Sequence, residues 1–273
     1  LKRFAHATFL GNASAPGVVL AKRLADLAPG HLNRVFYSDD GSTAVEVAVK
    51  MALQFWEQSG VAKRKRFIGF ANAYHGDTAG AVSIGGIDLF HARFGPLLFD
   101  VTRCPSPYAR RQEAQGDDAR WLELAVGDLR EVLESCSDEV AAVVLEPGMQ
   151  GASGMLTQPP GYVAAVRALT HEHDTLLILD EVAMGMGRSG KLFASETEGV
   201  VPDFIALAKG LTGGYLPLAA TLTHERIFEA FLGAPEEGRT FFHGHTFTGN
   251  ALGSAAALAT LDLFHAQAGA GAC

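Results

Sequence analysis

Short apolar runs closed by turn residues alternate along the chain with longer stretches of helical spacing. Val35-Phe36-Tyr37-Ser38, Arg66 to Phe70, Val140 to Leu145, Leu176 to Leu179 and Phe204 to Ala208 read as strands. Those at Leu176 and Phe204 have the unbroken apolar character of strands buried on both faces. Leu218 to Leu222 reads as an antiparallel return. Helical periodicity covers Val18 to Leu27, Thr43 to Gln58, Asp128 to Ser135, Gly161 to His173 and Ala251 to Phe264. In the second of these, Val45, Val49, Ala52, Leu53 and Trp56 mark the inner face. Residues 106 to 121 turn polar and charged and are expected to be a surface excursion. The small-residue tail, 265–273, has no period and is expected to fray. Strands alternating with helices predict an α/β fold, with a mostly parallel sheet covered on both faces.

Composition narrows this picture. With 273 residues, 48% of them hydrophobic, the chain can bury a large core. A net charge of −8 argues against a nucleic-acid surface. The one basic cluster, Lys63-Arg64-Lys65-Arg66, is expected to be a solvated loop. Cys104, Cys136 and Cys273 share no metal-type spacing and form no disulfide framework, so no metal is expected. No run is apolar for long enough to span a membrane, and no signal peptide is visible. A cytoplasmic enzyme acting on small molecules is the default expectation.

Candidate chemistry centres on two strand ends. Asp180 follows Leu176-Leu177-Ile178-Leu179, and Lys209 follows Phe204-Ile205-Ala206-Leu207-Ala208. Open α/β sheets bind ligands at the carboxyl ends of their strands. A buried amine can lose its proton and form a Schiff base. A buried carboxylate needs a cationic partner, which a pyridinium nitrogen provides. The pair points to pyridoxal phosphate, with Lys209 as covalent anchor and Asp180 on the ring nitrogen. Val182 is placed to pack on the ring.

Four further motifs carry weaker signals. Ser38-Asp39-Asp40-Gly41-Ser42-Thr43 opens a helix and reads either as a phosphate cradle or as an ordinary cap by Ser42 or Asp40. Tyr74, in Tyr74-His75-Gly76-Asp77-Thr78, can stack on a flat cofactor or simply sit in a turn. Glu146 closes an apolar strand and either steers substrate, holds an arginine or caps the next loop. Thr240 to Asn250 contains His243 and His245 without a third metal ligand, so a hydroxyl contact to phosphate is its better use.

These motifs, in this order, resemble the class III pyridoxal-phosphate aminotransferases over about residues 4 to 264. The spacing from Asp180-Glu181-Val182 to Lys209 is similar to that family too. The resemblance implies a fold type I large domain over residues 1–264. The family's N-terminal aromatic segment and small C-terminal domain would be absent from this chain. Gly41 and Ser42 would bind the cofactor phosphate, and Tyr74 would lie against cofactor and substrate. Asp180 would bind the pyridine nitrogen, and Lys209 would hold the cofactor and shuttle the proton. Gly244 would approach substrate. His245 and Thr246 would reach a phosphate across the interface of a homodimer with shared active sites. Stretches such as Gly190-Lys191-Leu192-Phe193-Ala194 and His243 to Asn250 resemble the branch that aminates 8-amino-7-oxononanoate in biotin biosynthesis. That implies S-adenosylmethionine as the amino donor, with lysine serving in some relatives. A transaminase for ω-amino acids and an inactive fragment are the other readings.

Overall fold

The computed structural model describes residues 6–269. In chain order the strands are β1 (Arg34–Ser38), β2 (Arg66–Phe70), β3 (Thr102–Cys104), β4 (Val140–Leu145), β5 (Met149–Gln150), β6 (Leu156–Thr157), β7 (Leu176–Asp180), β8 (Phe204–Leu207) and β9 (Ala219–Thr223). β5 and β6 form a separate two-stranded ribbon, and the other seven form one sheet in the order β1-β9-β8-β7-β4-β2-β3. Within that sheet every pairing that involves β9 is antiparallel, and the remaining pairings are parallel. The expected antiparallel return at Leu218–Leu222 is therefore β9, shifted by one residue.

Burial explains the unbroken apolar strands. All positions of β4, β7 and β8 are buried. Alternate residues serve opposite faces: Ala142 and Val144 pack with Val45, Ala48 and Trp56 of helix α2 (Gly41–Gln58; α1 is Ala15–Leu27). Val143 and Leu145 pack with Leu129 and Leu133 of helix Asp118–Cys136 and with Val166 of helix Tyr162–Glu172. On the other half of the sheet, α1 and helix Ala251–Gly269 cover Ile205, Leu207, Ala220 and Leu222. Among the described residues no helix is long and apolar enough to cross a membrane.

Three expectations change. The polar stretch before Asp128 is partly helix: it begins at Asp118, and Trp121 and Ala125 are buried. Its exposed charges mask an inner face at Trp121, Ala125, Leu129 and Leu133, a helix-face repeat of four. The basic cluster is not all solvated. Arg64 is buried, donates from Nη1 to the Val140 carbonyl at 2.9 Å and lies 4.5 Å from the Trp56 ring centroid. At the end of the chain, helix continues to Gly269, beyond the expected stop at Phe264. The rest of the expected frayed tail, with Cys273, lies outside the described residues.

Candidate active site

Parallel strands bring their carboxyl ends to one edge of the sheet, and the candidate residues follow those ends. Glu146 follows β4, Asp180 ends β7, Lys209 follows β8, and Tyr74-His75-Gly76 follows β2. β1 runs parallel to β8 because each is antiparallel to β9, so the start of α2 reaches the same edge. There a cavity of about 980 Å³ is lined by Gly41, Ser42, Tyr74, Glu146, Asp180, Val182 and Lys209, among others.

Asp180 is 4% exposed, as its place after four apolar residues predicts. Its Oδ1 accepts the Val182 backbone N–H at 3.0 Å, and its Oδ2 lies 2.7 Å from Nδ1 of His75. A carboxylate only accepts, so His75 donates from Nδ1. Glu146 is equally buried but is committed to backbone: it accepts from Tyr74 N–H at 3.0 Å and Gly151 N–H at 3.1 Å. This is the loop-capping role, not a grip on an arginine. Burial pushes its carboxyl above the usual range, a rise opposed by His75 and reinforced by Asp180. The neighbouring Glu181 is also structural, accepting from Ala194 N–H and Ser195 N–H at 2.6 and 2.9 Å.

The start of α2 is capped by Asp40, not Ser42. Asp40 accepts from Thr43 N–H at 3.0 Å, and Thr43 Oγ1 returns the bond to Asp40 N–H. Ser42 is thereby free for other work: its Oγ accepts Thr78 N–H at 3.0 Å and lies 2.9 Å from Thr78 Oγ1. Position 41 requires glycine for a packing reason that the sequence does not show. A Cβ there would stand 2.6 Å from Val182 Cγ1. Gly76, at φ +116°, sits against Ser42 with no room for a side chain. Gly41, Ser42, Gly76, Thr78 and Val182 thus form one close-packed corner of the cavity.

Lys209 lines the cavity but is exposed, which corrects the expectation of a buried amine. Its burial was inferred from the apolar strand, but the strand stops at Leu207 and the lysine stands in an open mouth. Its φ of +44° is left-handed, a conformation uncommon for a residue with a Cβ and found preferentially at functional positions. Tyr74 is half-buried and forms a wall. Its hydroxyl donates to Asp77 Oδ2 at 2.8 Å, and its ring lies at 15° to that of His91, 6.5 Å between centroids. Burial, with help from Asp77, pushes its phenol up to about 12, so it stays protonated at neutral pH.

The last motif lies outside this group. Gly244, His245 and Thr246 do not line the cavity. His245 Nδ1 stands 3.3 Å from Asp39 Oδ2, at the cavity rim, and Thr246 is exposed. The residue that sequence reasoning missed is His75; its signal was its place between a candidate aromatic wall and a glycine after a strand.

Known proteins resemble the chain in sequence and in fold. The family model described as Aminotransferase class-III matches residues 1–269. The adenosylmethionine-8-amino-7-oxononanoate aminotransferase of Geobacter sulfurreducens is 54% identical over 97% of this chain and 59% of its own length. The crystal structure of the enzyme of that name from Methanocaldococcus jannaschii superposes with a TM-score of 0.90 at 44% identity, covering 97% of this chain and 59% of that one. An (S)-enantioselective omega-transaminase from Thermomicrobium roseum superposes at 0.89 with 36% identity over 97% of this chain and 59% of that one. The chain thus spans about three fifths of the length of these relatives. It belongs to the class III aminotransferases, a pyridoxal-phosphate-dependent family.

Proposed function

We propose that the protein containing this chain transfers an amino group to 8-amino-7-oxononanoate, giving 7,8-diaminononanoate for biotin biosynthesis, with S-adenosylmethionine as donor and in the cytoplasm. The observation that carries the reading is the meeting, in one cavity, of buried Asp180 and left-handed Lys209, in a chain 54% identical to a relative of that name.

The residues present fit pyridoxal phosphate. A cavity of about 980 Å³ is at the upper end of small-molecule sites, with room for cofactor and substrate together. Its close-packed corner at Gly41 and Ser42 ends on the first turn of α2, whose leading amides have no intrahelical acceptor and favour an anion. Asp180 supplies the carboxylate for a ring nitrogen, Tyr74 and Val182 supply walls for a flat ring, and Lys209 supplies the amine. When bound, the cofactor withdraws electrons from the substrate carbon that loses a proton. Asp180 holds the proton on the ring nitrogen. Lys209 Nζ would hold the cofactor covalently at rest and, as a free amine, would be the base that takes the proton from the substrate carbon and gives it back at a second carbon of the bound pair. Tyr74 stays protonated with its hydroxyl given to Asp77, and it presents its ring as a wall at the substrate side.

The corner at Gly41 yields a direct test of the cradle. Gly41→Val drives a side chain into Val182 and displaces both the first turn and the ring wall. Its cofactor dissociation constant is expected to rise by about tenfold or more, the scale of core overpacking. Ser42→Ala, which loses one hydroxyl, should change it only a few-fold. Equal retention in both variants, measured by equilibrium dialysis, would remove this corner from the site.

The second reading, an ω-amino-acid transaminase, has the 36% identical Thermomicrobium roseum structure in its favour. Assay of the full-length protein separates the two. Turnover of 8-amino-7-oxononanoate with S-adenosylmethionine supports the first; turnover only with ω-amino acids replaces it. Sharing of active sites in a homodimer is supported by the placement of Gly244, His245 and Thr246 outside their own cavity. The same assay on mixed Lys209→Ala and Thr246→Ala chains tests it, because one site of a mixed dimer is then intact at both positions. Activity no higher than that of the parents contradicts sharing.

A further inference from the structure

We propose that His91 is a positioning residue for Tyr74: its neutral ring clasps the Tyr74 wall in place and releases it in acid, so that cofactor retention falls when His91 gains a proton. The inference rests on the pyridoxal-phosphate reading above. His91 closes a one-turn helix, Asp88–His91. That turn presents two successive rings to Tyr74. His91 lies at 15° to it with 6.5 Å between centroids, and Phe90 meets it edge-on, at 89° and 6.2 Å. Tyr74 lines the cavity and His91 does not. The Tyr74 hydroxyl is tied to Asp77 and its backbone N–H to Glu146, and the two rings restrain the aromatic body between those points.

Histidine is a costly residue for this place. It is 6% exposed, and Nδ1 and Nε2 are both buried with no hydrogen-bond partner among the described residues. Gly85 is cut away to admit the ring: a Cβ there would stand 2.6 Å from His91 Cε1. A phenylalanine would fill the same space without burying two unbonded polar atoms. What it lacks is a proton that comes and goes near neutrality. The groups that face the ring are Arg103 of β3, Asp77 after β2, the Gly85 backbone and Asp88 of its own turn. Tyr74 itself stays protonated throughout this range. Burial, and then Arg103, disfavour the imidazolium, against a lesser pull from the two aspartates and Gly85. The ring is therefore neutral while it stands against Tyr74, and it regains the ordinary histidine value of about 6.5 once released. The clasped arrangement is fully favoured above that value and loses ground to the released one as pH falls through the lowered value.

A ring that cannot titrate separates the clasp from simple packing. Full-length wild type and His91→Phe, each with and without Tyr74→Ala, are dialysed to equilibrium against pyridoxal phosphate at about pH 8 and about pH 5. Circular dichroism checks the fold at both. The cofactor's own phosphate titrates at about pH 6 in every case, so the quantity compared between proteins is the ratio of the two dissociation constants. Affinity in the wild type is expected to fall about 3- to 30-fold further in acid than in His91→Phe. The upper limit is set by the roughly 1.5 pH units between pH 5 and the ordinary histidine value. With Tyr74→Ala the two ratios should agree within about twofold, because no wall is left to move. A histidine that only stabilised the core would give the same difference in both backgrounds. A difference below about threefold between wild type and His91→Phe overturns the proposal, and so does a difference that persists without Tyr74. A His91→Phe protein that does not fold also overturns it, since a ring whose nitrogens make no bond should be replaceable by an apolar one. If the Tyr74→Ala chain does not fold, the first comparison decides. A wild type that takes up no pyridoxal phosphate at about pH 8 overturns the cofactor reading and this inference together, whereas a wild type that loads but matches His91→Phe in acid overturns the inference alone.

Discussion

Full-length protein carrying Lys209→Ala is expected to lose transamination by about 10⁴-fold or more, the scale of removing a group that acts directly in the chemistry. On the proposed reading, Lys209 does two things from one atom, Nζ: it holds the cofactor at rest and carries the proton during turnover. Alanine removes both. The variant should still retain pyridoxal phosphate without a covalent link, because the corner at Gly41, Ser42, Gly76 and Thr78 is built from other elements. The protein should keep its fold as well, since Lys209 is exposed and adds nothing to the core. A shift of the cofactor's absorption from the lysine-linked form to that of the free aldehyde, together with loss of turnover at unchanged thermal stability, is the expected pattern. Turnover within tenfold of wild type would place the chemistry on another residue.

Asp180→Asn is expected to lower turnover by about 10³- to 10⁴-fold, the scale of neutralising a buried carboxylate that orients and charges its partner. Asparagine keeps the size of the side chain but only one acceptor, so Val182 N–H can keep its bond while His75 must turn its Nδ1 into an acceptor for the amide. It removes the negative charge that keeps a proton on the ring nitrogen. The deficit should therefore appear in kcat more than in substrate affinity. Steady-state kinetics of the full-length variant check this. A change confined to KM, with kcat near wild type, would contradict the role.

Local signals placed Asp180 and Lys209 at strand ends, where the structure has them. Asp180 and Lys209 each follow a short apolar run that reads as a buried strand, and strand ends in α/β sheets are ligand positions. The order of strands was not legible, and it decides who meets whom. His75 follows β2 and Asp180 ends β7; they are 105 residues apart, and β4 lies between their strands. No spacing in the chain announces that contact. Lys209 was expected to be buried because its strand is, but exposure depends on how wide the cavity opens. Arg64 was misread for the same reason, since its partners, Trp56 and the Val140 carbonyl, come from other elements. The helix start at Asp118 was a different failure. Its four-residue repeat of Trp121, Ala125, Leu129 and Leu133 was present in the sequence but was outweighed by the charges around it.

Attachment of the cofactor to Lys209 is tested most directly by chemical trapping. Full-length protein is incubated with pyridoxal phosphate, reduced with borohydride, digested and mapped by mass spectrometry. The account predicts one phosphopyridoxyl group per chain, on the peptide that contains Lys209, and none on that peptide in Lys209→Ala. A label on Lys191 or Lys50 instead, with Lys209 unmodified, would contradict it.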